Sequence, residues 1–215
     1  MADNIVIAIN REYGSGGKTI GEMLSKELGI HYYDKEILHL AADVSGINEA
    51  LFVVKDEDTT ARASLFRAAS KVYTGELIAP GSRDFTSEQN LFNYQAKVIK
   101  TLAETESCIV VGRCADFVLK DYENVVSVFV HAPKPFLLEQ AAKKKNLTGA
   151  ALEKYVDQIN KNRMEYHNRF TGQEWSDAHY YDLCLNSSKL GFAKCVEIIK
   201  GYIKVKYGHL PERTE

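Results

Sequence analysis

Two periods alternate along the chain. Residues 5–9, Ile-Val-Ile-Ala-Ile, form a short, unbroken, largely β-branched run that stops at polar residues. That is the pattern of a strand buried on both faces of a parallel sheet. A glycine-rich turn follows at 14–17. Ile20, Met23, Leu24 and Leu28 then recur at helical spacing, and Gly29 supplies a stop. The first unit reads as strand, glycine loop, helix.

The alternation continues. Residues 30–33 read as a short strand ending at Asp34, and 35–43 as a helix. Residues 108–111 form a buried strand running into Gly112 and Arg113, 125–130 form another, and 182–186 a weaker fifth. Helices fit over 88–105, 135–146, 149–169 and 191–206. Strands alternating with helices predict a parallel α/β sheet. Residues 56–87 break the rhythm. They are rich in Ala, Ser and Thr, with a turn signal at Pro80-Gly81, and read as a partly helical, mobile excursion. The tail after Tyr207 reads as frayed.

Composition narrows the function classes. Lys plus Arg is 27 against 29 Asp plus Glu, a formal net charge of −2. So balanced a chain carries no global electrostatic signature of nucleic-acid or membrane binding. No apolar run approaches the ~18 residues that would span a bilayer. The start of the chain has no signal-peptide pattern, so a cytoplasmic protein is expected. The cysteines, Cys108, Cys114, Cys184 and Cys195, make no C-x-x-C pair and lie near no histidine cluster. Free thiols are expected rather than a zinc site or a disulfide framework. Nothing in the composition indicates an oligomer.

The strongest local signal is Gly14-Ser15-Gly16-Gly17-Lys18-Thr19, placed between a predicted strand and a predicted helix. Glycines let successive backbone N–H groups converge on phosphate oxygens, and the helix N-terminus adds its positive end. Lys18 can reach outer phosphates, and the Thr19 hydroxyl is placed to ligate Mg²⁺. The match to G-x-x-x-x-G-K-[ST] is incomplete, because Glu12 stands where the first glycine belongs.

Four further residues are candidates for phosphate or acceptor contacts. Leu152, Val156 and Ile159 form an apolar stripe whose spacing continues to Arg163, with Arg169 further on. An inward-facing arginine needs a partner, either a ligand phosphate or a carboxylate such as Asp157, Glu165 or Asp182. Arg113 ends a predicted central strand, where open α/β sheets bind ligands. Asp34 ends another. It could contact substrate or a Mg²⁺-bound water, but capping the helix that starts at 35 is the better geometric match.

The chain resembles the cytidylate kinase-like family of P-loop proteins, relatives of the nucleoside monophosphate kinases. The resemblance is carried in order by 9–17 (INREYGSGG), 32–37 (YYDKEI), 108–117 (CIVVGRCADF), 128–133 (VFVHAP), 160–166 (NKNRMEY) and 181–186 (YDLCLN). It implies a three-layer P-loop NTPase fold, with a five-stranded parallel sheet flanked by helices. It also implies a substrate-side helical excursion over about 45–95 and a lid over about 149–175, all in one domain. ATP with Mg²⁺ would be the donor, and a nucleoside monophosphate such as CMP or dCMP, or a similar small molecule, the acceptor. Gly14, Ser15, Gly16, Gly17, Lys18 and Thr19 match the phosphate loop. Arg113 matches a substrate-contacting arginine, and Arg163 a lid arginine.

Three departures stand out. Asn160 replaces the usual Asp of the lid pattern, 134–140 lacks the usual arginines, and Asp34-Lys35-Glu36 replaces the substrate motif of true cytidylate kinases. Two other expectations therefore stand beside nucleotide phosphorylation. One is an ATP-binding regulatory module without efficient transfer, and the other is a kinase for a non-nucleotide metabolite.

Overall fold

The computed structural model describes residues 4–57 and 72–211. The chain runs β1 (Val6–Arg11), α1 (Gly17–Leu28), β2 (His31–Tyr33), α2 (Glu36–Ser45), α3 (Glu49–Val54), α4 (Glu88–Thr105), β3 (Cys108–Val111), α5 (Ala115–Val118), β4 (Val125–His131), α6 (Lys134–Ala142), α7 (Gly149–Thr171), a 3₁₀ turn (Ala178–Tyr180), β5 (Leu183–Asn186), α8 (Ser187–Leu190) and α9 (Phe192–Tyr207). The five strands form one sheet in the order β2-β3-β1-β4-β5. Every pairing is parallel, with Val6 opposite Cys108 on one side and Val125 on the other. All strand C-termini therefore lie along one edge, and the turns that follow them meet there.

Side-chain alternation sorts the strands between two cores. Ile7, Ile9, Ile109, Val111, Val126, Val128 and Val130 face α1 and α9, packing on Ile20, Leu24, Val196 and Ile199. Val6, Ala8, Cys108 and Val110 face the other way, toward α2, α4, α5 and the end of α7, where Phe92, Tyr166 and Phe170 sit. A central strand buried on both faces is why β1 reads as a continuous apolar run. A smaller apolar cluster joins α6 to α7 through Leu137, Ala141, Leu152 and Val156, with Tyr13 packed against it.

Three expectations need correcting, and a fourth falls only partly on the described residues. β1 extends through Asn10 and Arg11, both buried, because strand pairing with β4 continues to Val130. The helix expected over 135–146 stops at Ala142, short of the lysine run. Residues 72–87 carry no helix, and 58–71 lie outside the described residues. The side chain of Asn90 holds the extended stretch against α4, bonding the Ile78 N–H and the carbonyls of Ile78 and Phe85. Lastly, Asp34 does not cap α2: Lys35 occupies that position and no side chain caps the helix. Among the described residues no helix is long and apolar enough to cross a membrane. All four cysteines are free, and only Cys184 is exposed.

Candidate active site at the strand ends

The glycine loop fills the gap between β1 and α1. Gly14 and Gly16 take left-handed conformations, φ 88° and 85°. At Gly16 the alternative is closed on two counts: the φ disfavours any side chain, and a Cβ would run into the Phe192 ring. Gly16 is also the N-cap of α1 and offers no capping side chain, so the first-turn N–H groups of α1 are left for an external acceptor. Gly17, Lys18 and Thr19 open the helix there. Lys18 is half exposed, with its ammonium 3.1 Å from Asp34 Oδ2.

The loop is fixed by residues whose role is not evident from local pattern. Glu12 continues the sheet, its N–H bonded to the Val130 carbonyl, and its carboxylate accepts from the Ala132 N–H at 3.0 Å. Burial pushes the Glu12 carboxyl above its ordinary value, against the lowering effect of the Ala132 N–H and of His131. This second contact accounts for a carboxylate where a glycine was expected. Asn160 of α7 accepts the Tyr13 N–H at 2.6 Å through Oδ1. An amide supplies that acceptor as a carboxylate would, so the departure at 160 preserves this contact.

Asp34, at the end of β2, is the junction of the site. Oδ2 faces Lys18, and Oδ1 accepts from Arg113 Nη1 at 2.6 Å. Burial acts to raise the Asp34 carboxyl, but Arg113, Arg11 and Lys18 outweigh it and hold the group below its ordinary value. Asp34 is therefore a fixed negative charge between the loop lysine and the strand-end arginine.

Arg113 follows Gly112 at the end of β3, and its side chain is fully buried. Nη1 also donates to the Val111 carbonyl, and Nη2 to Asp56 Oδ2 at 3.0 Å. Arg113 and Cys114 are the non-glycine residues with positive φ among the described residues, 53° and 55°. Left-handed backbone costs about 1–2 kcal/mol per residue, and such strain concentrates at functional sites. Here it turns the Arg113 N–H toward Glu57, whose Oε2 accepts it at 3.1 Å. Arg11, the last residue of β1, donates to Glu57 Oε1 at 2.6 Å. A Cβ on Gly112 would collide with that same carboxylate oxygen.

Arg163 reaches the loop from α7. Its side chain is buried, Nη1 donates to the Arg11 carbonyl at 3.1 Å, and the guanidinium lies 5.8 Å from the Tyr13 ring centre. The carboxylates weighed as its partners are engaged elsewhere. Asp157 pairs with Lys134, Glu165 with Lys161, and Asp182 bonds Ser127. Arg169 is not brought to the loop. It pairs with Glu88 at the start of α4 and lies over Phe170, about 9 Å further along α7 than Arg163 at 1.5 Å per residue.

Behind the loop, a buried polar chain locks the second half of α7 to the sheet. Asn10 Nδ2 donates to Asp116 Oδ1 and to the Tyr181 hydroxyl, and Tyr181 donates to the Trp175 carbonyl. Asp116 Oδ2 lies 2.8 Å from His167 Nε2. The first half of α7 instead rests on α6 and on Tyr13, whose ring meets Tyr155 edge-on.

The sequence reading placed Lys18, Asp34, Arg113 and Arg163 at one end of the sheet, where they are found. It missed Arg11, Asp56 and Glu57, and it counted Asn160 as a departure without its contact. Arg11 lies in the 9–17 segment that carries the family resemblance, but its local signal was only a charge just past an apolar strand. Among the described residues no cluster of three metal-ligating side chains occurs. A cleft of about 620 Å³ lies at the opposite end of the sheet, beside Ile5, Asn124 and Tyr207. Ligands of open α/β sheets bind at the other edge, so this cleft is not the candidate site.

Comparison with known proteins agrees with this fold. The profile of the cytidylate kinase-like family matches residues 6–189. A crystal structure of an uncharacterized protein from Eubacterium ventriosum is 25% identical, with a TM-score of 0.69 over 94% of this chain and 99% of that one. Shikimate kinase from Acinetobacter baumannii, in complex with shikimate, is 13% identical with a TM-score of 0.50, over 95% of each chain. Shikimate kinase from Bacteroides thetaiotaomicron is 11% identical with a TM-score of 0.53, over 93% of this chain and 98% of that one. The two shikimate kinases share the P-loop kinase fold. No curated protein sequence matches the chain.

Proposed function

The chain belongs to the cytidylate kinase-like family, and on that premise we propose that it transfers the γ-phosphoryl group of ATP to a nucleoside monophosphate, such as CMP or dCMP, or to a similar small acceptor. One observation carries the reading. Asp34 joins Lys18 of the glycine loop to Arg113 of the acceptor side, through contacts of 3.1 and 2.6 Å. Donor and acceptor groups would therefore meet over a single fixed carboxylate.

The uncapped N-terminus of α1, the left-handed Gly16 and the half-exposed Lys18 fit a bound triphosphate. Thr19 is the residue that would hold Mg²⁺, which would arrive with ATP and neutralise phosphate charge. Phosphoryl transfer demands little covalent chemistry from a protein and much positioning and charge. Lys18 holds the outer phosphates. Arg113, oriented by Asp34 and Asp56, faces the acceptor. Arg163 fixes the loop through the Arg11 carbonyl and brings positive charge beside it. The stretch over about 45–95 forms the acceptor side. The stretch over about 149–175 forms the lid, with its second half tied to the sheet through the contact of His167 with Asp116.

A second reading, an ATP-binding regulatory module, draws on one observation. The acceptor-side arginines, Arg11 and Arg113, already meet carboxylates of the protein itself. A coupled ADP-release assay against a panel of monophosphates separates the two. Turnover with one nucleotide supports transfer, and ATP binding without turnover for any acceptor supports the module.

A further inference from the structure

The Glu57 carboxylate is held as a bound anion would be. Oε1 takes the Arg11 guanidinium at 2.6 Å and lies 3.6 Å from Arg113 Nη1, while Oε2 takes the Arg113 N–H at 3.1 Å. The group rests against Gly112, where a Cβ would displace it, and its side chain is only 4% exposed. The donors come from the ends of β1 and β3, which the fold places side by side, and from a left-handed turn at Gly112, Arg113 and Cys114. Glu57 itself comes from a different part of the chain, the connection after α3. Two fixed elements thus build the cradle, and a third inserts the anion.

We propose that Arg11 and the Gly112–Arg113 turn are the seat for the phosphate group of the acceptor, and that Glu57 fills this seat until the acceptor displaces it. The proposal rests on the acceptor reading given above and adds the identity of the subsite and of its internal occupant. A phosphate monoester needs the same convergent N–H donors and guanidinium as the carboxylate does. The two anions cannot share them, since like charges a few ångströms apart repel. The acceptor's apparent affinity is then its intrinsic affinity reduced by the fraction of molecules in which Glu57 has withdrawn. Asp56, on Arg113 Nη2, and Asp34, on Nη1, remain in place and keep that guanidinium oriented.

The test is direct binding of inorganic phosphate, CMP and cytidine to the wild-type protein and to Glu57→Gln, by calorimetry, with ATP binding and thermal denaturation measured alongside. Glu57→Gln is expected to bind phosphate and CMP about tenfold more tightly, the scale of a removed competing state, with cytidine and ATP unchanged. Equal or weaker phosphate and CMP binding by the folded variant overturns the proposal, as does an equal gain for cytidine. These are binding measurements. A protein that shows the gain but turns over no acceptor keeps the subsite and loses the kinase reading. Crystals of the wild-type protein grown with CMP give a second test that needs no variant. A phosphate within hydrogen-bond distance of Arg11 and the Arg113 N–H, with Glu57 withdrawn, is the expected result. Glu57 still on Arg11 beside bound CMP refutes the proposal.

Discussion

Replacing Arg113 by alanine is the perturbation whose consequences the structure specifies most fully. The guanidinium has no exposed surface and pairs with Asp34 and Asp56, which are 11% and 5% exposed. Removing one partner of a buried ion pair leaves uncompensated charge and costs about 3–5 kcal/mol. For a domain of this size, ~2–4 °C is lost per kcal/mol, so Arg113→Ala should lower Tm by roughly 6–20 °C. The pH dependence is specific. Asp34 titrates below its ordinary value of 3.8 in the folded protein. A carboxyl depressed by folding contributes stability that is complete above its unfolded pKa and is lost as pH falls through its folded pKa. Arg113→Ala removes the strongest of the charges that depress it. The gap between wild type and variant should therefore be widest at neutral pH and narrow below about pH 4. Urea denaturation at a series of pH values measures it. Arg113→Lys should recover part of the loss, since it keeps the charge without the planar fork. A loss under about 1 kcal/mol at pH 7, the scale of an exposed pair, would refute the reasoning. So would a loss that does not vary with pH.

Two other variants bear on the loop and α7. Lys18→Ala should remove most of the rise in Tm that ATP with Mg²⁺ produces, because only ligand bound to the native state stabilises it; an unchanged shift would exclude the glycine loop as the phosphate site. Arg163→Ala should lower kcat by about 10²–10³ with a smaller effect on KM for ATP, whereas Arg169→Ala, which breaks a partly exposed pair with Glu88, should leave kcat within about twofold; equal losses for the two in steady-state kinetics would contradict their different placement.

The sheet was legible because β1, β3 and β4 are short runs rich in β-branched residues, and the parallel order follows from helices lying between the strands. The glycine loop was legible because its residues are contiguous. What escaped was set by distance along the chain. Arg113 and Glu57 stand 56 residues apart, and Arg11 comes beside Arg113 only because β3 pairs with β1. Nothing near Glu57 in sequence marks it as an acceptor for Arg11. Asp34 was misjudged for a related reason. Its local context fits an N-cap, but two cations brought by α1 and β3 outcompete the α2 backbone for its carboxylate. Asn160 could be counted as a departure in sequence, yet its compensation, the Tyr13 N–H, shows only once α7 is folded over the loop.

Lys18, Asp34 and Arg113 are proposed to form one phosphoryl-transfer site. Incubation with ATP labelled at the γ-phosphate, against a panel of nucleoside monophosphates with CMP and dCMP among them, tests it most directly when the wild-type protein and Asp34→Asn are run side by side and the products are separated. Label in a single nucleoside diphosphate is expected with the wild-type protein. A loss of at least about tenfold is expected with Asp34→Asn while ATP still binds, because a positioning contact specific to transfer is removed. Label that stays in ATP, or appears only as inorganic phosphate, for every acceptor would contradict it, and so would transfer by Asp34→Asn at the wild-type rate.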